Sequence, residues 1–521
     1  MKKRIFSLVL SVLTLAAAAQ VHVSIADPET WTVAELTPYI GQTVIFDTPL
    51  IVTSNYNGLA VSPRRIFSPT NQERPGTTEY YNIGTLNANG SLPLYAVSGY
   101  HRMGEKIYNL EAKVAANSLT FVSGEWRGNT RSDLEKGIPN VDISGEHTLL
   151  VCGANLEYYL VEQYSSPGPK DNAQHQKQRA KVSKALAKIN ADIYGLVEVQ
   201  QGNNALKEIA EDLTKNTGRT FTYVHEVKAA SGTYTKSGYV YCSDVVETVG
   251  EMQHIETGVA NRKKMQLFRE KATGELFIYS INHFKAKSGG GVGADADQGD
   301  GQGGYNNARK GEASAVLTTY KRLAAQLGDE SDILIMGDLN AYGKEDPIMV
   351  FVSDGMTDLH RWFHRDSSYS YTYHSEAGYL DHAISNETLL PQITGMAAYH
   401  INSDEDDAYT YDKSSDATMF RCSDHDPVLV GLRLDGTKEP LSKLNLNSWE
   451  VYNGADGIYI RNAAGVQMKA YYRIYSVDGR MLEQDEITDD WQLVPRPAQA
   501  GLYVVVIYHE GQTYKFRVII P

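Results

Sequence analysis

Apolar and polar positions change rhythm twice along the chain. From about Asp27 to Gly145, apolar residues come in short runs cut by Gly, Pro and Asn, as in Gln42 to Phe46, Leu50 to Thr53, Leu94 to Val97 and Leu110 to Val114. None shows the three-and-four spacing of a helix face, so residues 27–145 are expected to form a small all-β barrel or sandwich. From about Glu146 the pattern alternates. Strands are expected at Leu149 to Ala154, Ile193 to Val197, Tyr239 to Cys242, Leu276 to Asn282, Ile333 to Met336, Leu380 to Ile384 and Val428 to Leu432. Helices are expected over Gln176 to Ile189, where Val182, Leu186 and Ile189 fall four and three apart, over Ala205 to Leu213, and over Gly311 to Leu327. Strands that first alternate with helices and then pair with each other predict, for residues 146–436, an α/β sandwich of two sheets with helices outside. Residues 445–521 return to strands only: Tyr471 to Tyr475, Leu502 to Tyr508 and Thr513 to Ile520, with Asp478-Gly479 as a hairpin turn. A small β-sandwich is expected there.

The first residues follow a different logic. Lys2-Lys3-Arg4 is a basic head, Ile5 to Ala19 is an apolar stretch short for a membrane span, and Ala17-Ala18-Ala19 offers small residues for cleavage. Residues 1–19 are therefore expected to be a signal peptide and the mature protein to be secreted or held at the cell surface, with no stable membrane span. The three cysteines, Cys152, Cys242 and Cys422, sit in or beside strand-like runs and match no metal spacing. They are expected to be small buried apolar groups, with one internal disulfide left open. A chain of 521 residues is too long for one core, so about three domains are expected. The formal net charge of −14 argues against binding driven by non-specific phosphate contacts. It leaves room for an enzyme that meets phosphate through a cation, because the ion reverses the local sign.

Candidate chemistry gathers at the ends of the central strands. Ile333 to Met336 stops at Gly337 and is followed by Asp338-Leu339-Asn340. Extended backbone would put Asp338 and Asn340 on one face. Asn155, Glu198, His283, Asp381 and the run Ser423-Asp424-His425-Asp426-Pro427 stand at comparable positions. One acidic residue at a strand end is usually a solvated loop residue; six such points on one sheet edge suit phosphodiester hydrolysis. Glu198, Asp424 and Asn155 offer oxygen ligands to a hard cation, Mg2+ or Mn2+. His283 and His425 can move protons near neutral pH, and Asp381 is the candidate partner that orients His425. Asn340 is the candidate to hold a phosphate oxygen. Arg309 is a phosphate-clamp candidate, set against a plain surface arginine at a helix start. His382, beside Asp381, is expected to point to the opposite face.

These residues resemble the endonuclease/exonuclease/phosphatase superfamily, with a core like that of pancreatic deoxyribonuclease. The resemblance rests on Asn155, Val197-Glu198-Val199, Ile281-Asn282-His283, Gly337-Asp338-Leu339-Asn340, Leu380-Asp381-His382 and Ser423-Asp424-His425-Asp426-Pro427. A narrower resemblance is to large secreted bacterial extracellular nucleases. It rests on Asn282 to Lys287, Asp297 to Gly303, Asn307-Ala308-Arg309, Lys344 to Ile348 and His400 to Glu405. It implies an OB-like N-terminal domain, which Pro49 to Tyr56 and Pro69-Thr70-Asn71 fit. The resemblance also implies that Glu198 is a metal ligand, His283 and His425 the acid–base pair, Asp338 and Asn340 handlers of metal or phosphate, and Asp381 the group that orients His425. One departure stands out: Tyr234 to Gly238 lacks the carboxylate that orients the first histidine in pancreatic deoxyribonuclease. Residues 445–521 resemble the sorting domain of type IX secretion, through Val477-Asp478-Gly479-Arg480, Gly501-Leu502-Tyr503 and Lys515 to Val518. The machinery of that system is then an expected partner.

Ser288 to Asn307 is rich in Gly and carries Asp295, Asp297 and Asp300. A structural Ca2+ site and a mobile gating loop are the two readings, and EF-hand spacing is not met. The leading function is a secreted divalent-metal-dependent nuclease acting on DNA, with RNA also open. The alternatives are a phosphodiesterase or phosphatase on phospholipid or inositol phosphate, and a non-catalytic surface-binding protein. Tyr369, Tyr371 and Tyr373 alternate as a strand would, and could serve a lipid surface or stack on bases.

Overall fold

The computed structural model describes residues 20–520 apart from 29–30, 57, 72–90, 146–147, 227–232, 260, 328–330, 365–366, 435–448, 454–457, 463–469, 477–479, 488–490, 496 and 510–511. The expected signal peptide and the turn at Asp478-Gly479 lie outside the described residues. The chain divides into two compact units, Met1–Gly436 and Thr437–Pro521.

Among the described residues, the first unit opens with seven strands: β1 Val21–Val23, β2 Thr43–Phe46, β3 Leu50–Ser54, β4 Ala60–Ser62, β5 Leu92–Tyr95, β6 Lys106–Ala115 and β7 Ser118–Arg127. Their order is β1-β2-β6-β3-β4-β5-β7, and β7 also pairs with β6, so β3, β4, β5, β7 and β6 close into a ring. Closure removes the free edges that a short sheet would expose. Alternating side chains such as Val44, Phe46, Ile107, Leu110 and Leu119 fill the inside.

The rest of the unit is built from α1 Arg131–Lys136, β8 Thr148–Tyr159, α2 Asn172–Ile189, β9 Ile193–Gln200, α3 Asn204–Thr217, β10 Phe221–Tyr223, β11 Thr235–Cys242, β12 Val246–His254, β13 Lys263–Glu270 and β14 Leu276–His283. It continues with α4 Asn306–Leu327, β15 Ile333–Asp338, α5 Asp346–Ser353, β16 Thr357–Asp358, α6 Leu359–His364, β17 Tyr371–Tyr373, β18 Glu376–Gly378, β19 Asp381–Ser385, β20 Ile393–Ala398 and β21 Val428–Arg433. These strands make two six-stranded sheets, β10-β11-β9-β8-β21-β20 and β12-β13-β14-β15-β19-β16. Helices α2 and α3 cover the first through Val182, Leu186, Leu206 and Ile209. Helices α4 and α5 cover the second through Val316, Leu317, Ile348 and Phe351. Between the sheets, the Tyr279 hydroxyl donates to the Cys152 carbonyl at 3.0 Å. A Cβ on Gly195 would lie 2.2 Å from that hydroxyl, so only glycine admits this approach. The mixed α/β arrangement of two sheets agrees with the sequence expectation.

Strand β13 was not expected, and the reason is chemical. It begins Lys263-Lys264, which reads as solvent, yet both side chains are buried, as is Lys236 of β11. Glu226 pairs with Lys236 and stands 2.8 Å from Lys264, while Glu312 stands 2.8 Å from Lys263. Buried charge survives only when paired in this way. The three cysteines are buried and free. No helix among the described residues is long and apolar enough to cross a membrane.

Among the described residues, the second unit carries seven strands, β22 Trp449–Asn453, β23 Ile458–Asn462, β24 Ala470–Ser476, β25 Met481–Ile487, β26 Trp491–Val494, β27 Gly501–His509 and β28 Gln512–Ile520. They form sheets β22-β23-β26 and β25-β24-β27-β28. Trp449, Ile458, Ile474, Val505 and Val518 belong to one shared core.

Candidate active site

Sheet register brings distant residues to one edge. Parallel pairing of β14 with β15 sets His283 opposite Asp338, and antiparallel pairing of β15 with β19 sets Asp338 opposite Asp381. In the other sheet, β8 and β9 set Asn155 opposite Val197, next to Glu198. The loop before β21 adds Asp424 and His425. Gly337 makes the strand end possible. Its φ is +120°, and a Cβ there would lie 2.0 Å from the Asn282 carbonyl oxygen. Glu157, Tyr158, Glu198, Asn340 and Arg421 all have left-handed backbone, with φ between 48° and 61°. Each such residue costs about 1 kcal/mol or more, and strain of this kind collects where surrounding contacts enforce a functional geometry.

Asp338 is the centre of the arrangement. Its Oδ2 lies 3.7 Å from His283 Nε2 and 3.9 Å from His425 Nε2, and accepts the Asn155 amide at 3.2 Å. His283 Nε2 also faces Glu198 Oε1 at 3.6 Å. Glu198 Oε2 accepts the Tyr158 backbone N–H at 3.1 Å. His425 Nδ1 meets Asp381 Oδ2 at 2.7 Å, and the Ser370 hydroxyl donates to that oxygen at 2.7 Å. Asp424 Oδ2 stands 3.9 Å from His425 Nε2. The Tyr371 ring stacks on the His425 imidazole at 4.6 Å.

The two imidazoles differ in charge. Burial, with Arg262, His425 and Lys263 nearby, drives His283 well below the usual histidine range, so it is neutral. Burial also opposes charge on His425, but Asp381, Asp424 and Asp338 outweigh it and hold His425 well above that range. Burial and the neighbouring Asp424 push Glu198 up to about 7. Burial pushes Asp338 up to about 6, against the pull of His425. Burial and Asp424 push Glu157 up to about 8. Environments that drive like groups apart in this way separate proton donors from acceptors.

Two site expectations need correction. The Arg309 guanidinium is buried and donates to the carbonyls of Lys285, Gly304 and Gln302 at 3.2, 2.8 and 2.8 Å, so it ties the glycine-rich insertion down and does not clamp phosphate. Asn340 does not share an extended face with Asp338. Its φ of 48° turns it past the strand end, where its N–H donates to Asp338 Oδ1 at 2.9 Å and its amide to the Phe284 carbonyl at 3.2 Å. Asp295, Asp297 and Asp300 accept the backbone N–H groups of Ala308, Gly299 and Gln302 respectively. His382 is buried and bonds the Ala341 carbonyl at 2.7 Å, away from the cleft.

The sequence reading missed Arg262 and Ser370, and it singled out Tyr371 for lipid or base contact, where its ring stacks on His425. Arg262 bonds the Tyr158 hydroxyl and acts electrostatically on Glu198 and His283. A basic residue opening a strand beside the His283 strand was the available signal. Among the described residues, no carboxylate supports His283 from behind, and its Nδ1 is buried without a hydrogen-bond partner. This matches the missing carboxylate in Tyr234 to Gly238, where Lys236 turns to Glu226.

Among the described residues, no three His, Cys, Asp or Glu side chains close into a cation cage. The donor chemistry nonetheless fits Mg2+ or Mn2+. Glu198 and Asp424 bring hard oxygens to one cleft, beside the amide of Asn155, and Mg2+ commonly takes one or two carboxylates and keeps its waters.

Residues 168–425 match the Endonuclease/Exonuclease/phosphatase family, which places the two-sheet domain in that superfamily of nucleases, phosphatases and phosphodiesterases. Glu198, His283, Asp338, Asn340, Asp381, Asp424 and His425 fall inside the match, and Asn155 precedes it. No curated protein matches the chain. Among solved structures, an endonuclease/exonuclease/phosphatase from Bacteroides vulgatus is 15% identical, with 55% of this chain and 99% of that chain covered and a TM-score of 0.38. The human nocturnin catalytic domain is 13% identical, with 55% and 93% covered and a TM-score of 0.36. TDP2 from C. elegans is 12% identical, with 56% and 76% covered and a TM-score of 0.37. At this level of likeness they bear on neither substrate nor partner.

Proposed function

We propose that the chain is an exported, divalent-metal-dependent nuclease that hydrolyses phosphodiester bonds of DNA, with RNA as a second substrate. One observation carries the reading: two imidazoles, His283 and His425, reach the same Asp338 oxygen, at 3.7 and 3.9 Å. Diester hydrolysis needs a group that accepts a proton from water and another that delivers one to the leaving oxygen. His283, neutral, accepts; His425, charged and held by Asp381, donates from Nε2. Asp338 sits between them. Arg262 offers its guanidinium to a phosphate oxygen. A divalent cation at Glu198, Asp424 and Asn155 would polarise a non-bridging oxygen and offset charge developing on phosphorus.

Export rests on residues 1–19 and on the terminal β unit, read as a signal peptide and a type IX sorting domain. The closed five-stranded ring at the N-terminus supports the OB-like reading, with strand order β3-β4-β5-β7-β6 and a parallel β5–β7 pair. A second reading, a phosphodiesterase on phospholipid or inositol phosphate, draws on the exposed Tyr373, whose ring stacks near Tyr371 at 6.4 Å.

The deciding experiment offers plasmid DNA, RNA and sphingomyelin vesicles to the purified chain with Mg2+, with Ca2+ and with chelator. Cleavage of plasmid with Mg2+ that chelator abolishes supports the proposal. Chelator-insensitive cleavage, or turnover of sphingomyelin alone, refutes it.

A further inference from the structure

Residues 400–405 run between the catalytic edge and the N-terminal ring, and they bond to both. On the catalytic side, the Asn402 amide donates to the His425 carbonyl at 2.6 Å. Asp426 Oδ1 accepts the backbone N–H groups of Asn402 and Ser403, each at 2.9 Å. Its Oδ2 accepts the Ser403 hydroxyl and lies 2.9 Å from His400 Nδ1. The Asp426 N–H donates at 2.8 Å to the carbonyl of Ser370, the residue whose hydroxyl holds Asp381.

The other side of the same segment carries two buried carboxylates. Asp404 meets Arg65 at 2.7 Å and accepts the Asn129 amide at 2.8 Å. Its carbonyl accepts the Asn55 amide and the Met103 N–H, each at 3.0 Å. Glu405 pairs with Arg102 and with Arg131, each at 2.5 Å. Tyr369 links the two layers: its hydroxyl donates to Asp404 at 2.9 Å and its ring stacks on His400 at 3.9 Å. A second bracket holds Asp381. Ser68 and Ile66 exchange backbone hydrogen bonds with Ala377 at 2.9 and 2.8 Å, and the Asn71 side chain accepts the Tyr379 N–H at 3.1 Å.

The charges therefore lie on the catalytic segment, and the arginines that neutralise them lie on or beside the ring. A buried carboxylate stripped of its partner does not stay in place, because its desolvation goes uncompensated. We propose that the N-terminal ring is a positioning element of the active site: Arg65, Arg102 and Arg131, through Asp404 and Glu405, fix the segment that sets His425 against Asp381. This rests on the nuclease reading for its kinetic consequence, and on contacts alone for its structural one.

The test uses the full chain with Arg65→Ala, Arg65→Lys and the milder Asn129→Ala, each checked for folding by circular dichroism. Hydrolysis of bis(p-nitrophenyl) phosphate with Mg2+ and amide hydrogen exchange are read on every variant. Arg65→Ala is expected to lower kcat about tenfold or more with KM held within about twofold, the mark of a misplaced catalytic group. Exchange should rise in both 400–405 and 423–427, and Arg65→Lys should restore most of kcat. Asn129→Ala should move both readouts the same way, and it carries the test if Arg65→Ala does not fold. A folded Arg65→Ala with unchanged kcat, or faster exchange confined to the ring, overturns the proposal. If the wild type hydrolyses no diester, the nuclease reading is lost and the exchange data still decide this inference.

Discussion

Replacing Asp381 by Asn removes one charge from the pair that fixes His425. Asp381 Oδ2 lies 2.7 Å from His425 Nδ1 and also accepts the Ser370 hydroxyl at 2.7 Å, while Oδ1 is buried without a partner. An amide has two ways to fit. Its oxygen can keep Nδ1 and leave the NH2 group buried without an acceptor. Alternatively, the NH2 donates to Nδ1, which moves the ring proton to Nε2 and leaves the imidazole neutral in the wrong tautomer. Charge centres about 4 Å apart at an effective dielectric of about 20 interact by about 4 kcal/mol. Breaking a buried pair costs about 3–5 kcal/mol by mutation. At about 1.4 kcal/mol per decade, kcat should fall about 10³-fold. The assay is the pH profile of kcat on bis(p-nitrophenyl) phosphate. The wild-type limb set by charged His425 should move to lower pH in Asp381→Asn. A kcat within about tenfold of wild type, on an unmoved profile, refutes the assignment of this pair.

The remaining expectations concern stability and the corrected roles. Arg65 and its neighbours outweigh burial and hold Asp404 down to about 2, from a model-compound value of 3.8. A depressed carboxyl stabilises the fold above its unfolded value and loses that contribution as pH falls through the folded value. Urea unfolding should therefore show a loss of about 2 kcal/mol between pH 5 and pH 2 that is absent in Asp404→Asn. Glu226→Gln leaves Lys236 and Lys264 without their shared carboxylate and should destabilise by about 3–5 kcal/mol; chemical denaturation checks it, and a change under about 1 kcal/mol contradicts it. Arg309→Ala should loosen the glycine-rich insertion to proteases while KM for a small diester stays unchanged; a large rise in KM would restore the phosphate-clamp role.

The central strands were legible because their apolar runs are long and their ends abrupt. Ile333 to Met336 became Ile333–Asp338, which runs one residue past Gly337, the expected stop, through a φ of +120° there. Helix α4 began five residues earlier than its apolar spacing suggested, because Asp295 caps it from the insertion at the Ala308 N–H. Three features were hidden for a common reason: buried charge reads as solvent in a sequence. Strand β13 was masked by Lys263 and Lys264. Arg309 looked exposed and available. Arg65, Arg102 and Arg131 gave no sign that they join the ring to Asp404 and Glu405. The site was partly legible because strand ends converge by register, which a motif list anticipates. The αL turn at Asn340 was not, since nothing in Asp338-Leu339-Asn340 fixes backbone handedness.

The most direct test of the two-histidine account is single-turnover cleavage of plasmid DNA with Mg2+ by His283→Ala and His425→Ala beside the wild type. The account predicts that each variant, folded and of wild-type melting behaviour, cleaves at least about 10²-fold more slowly. Wild-type rates in either variant would contradict it.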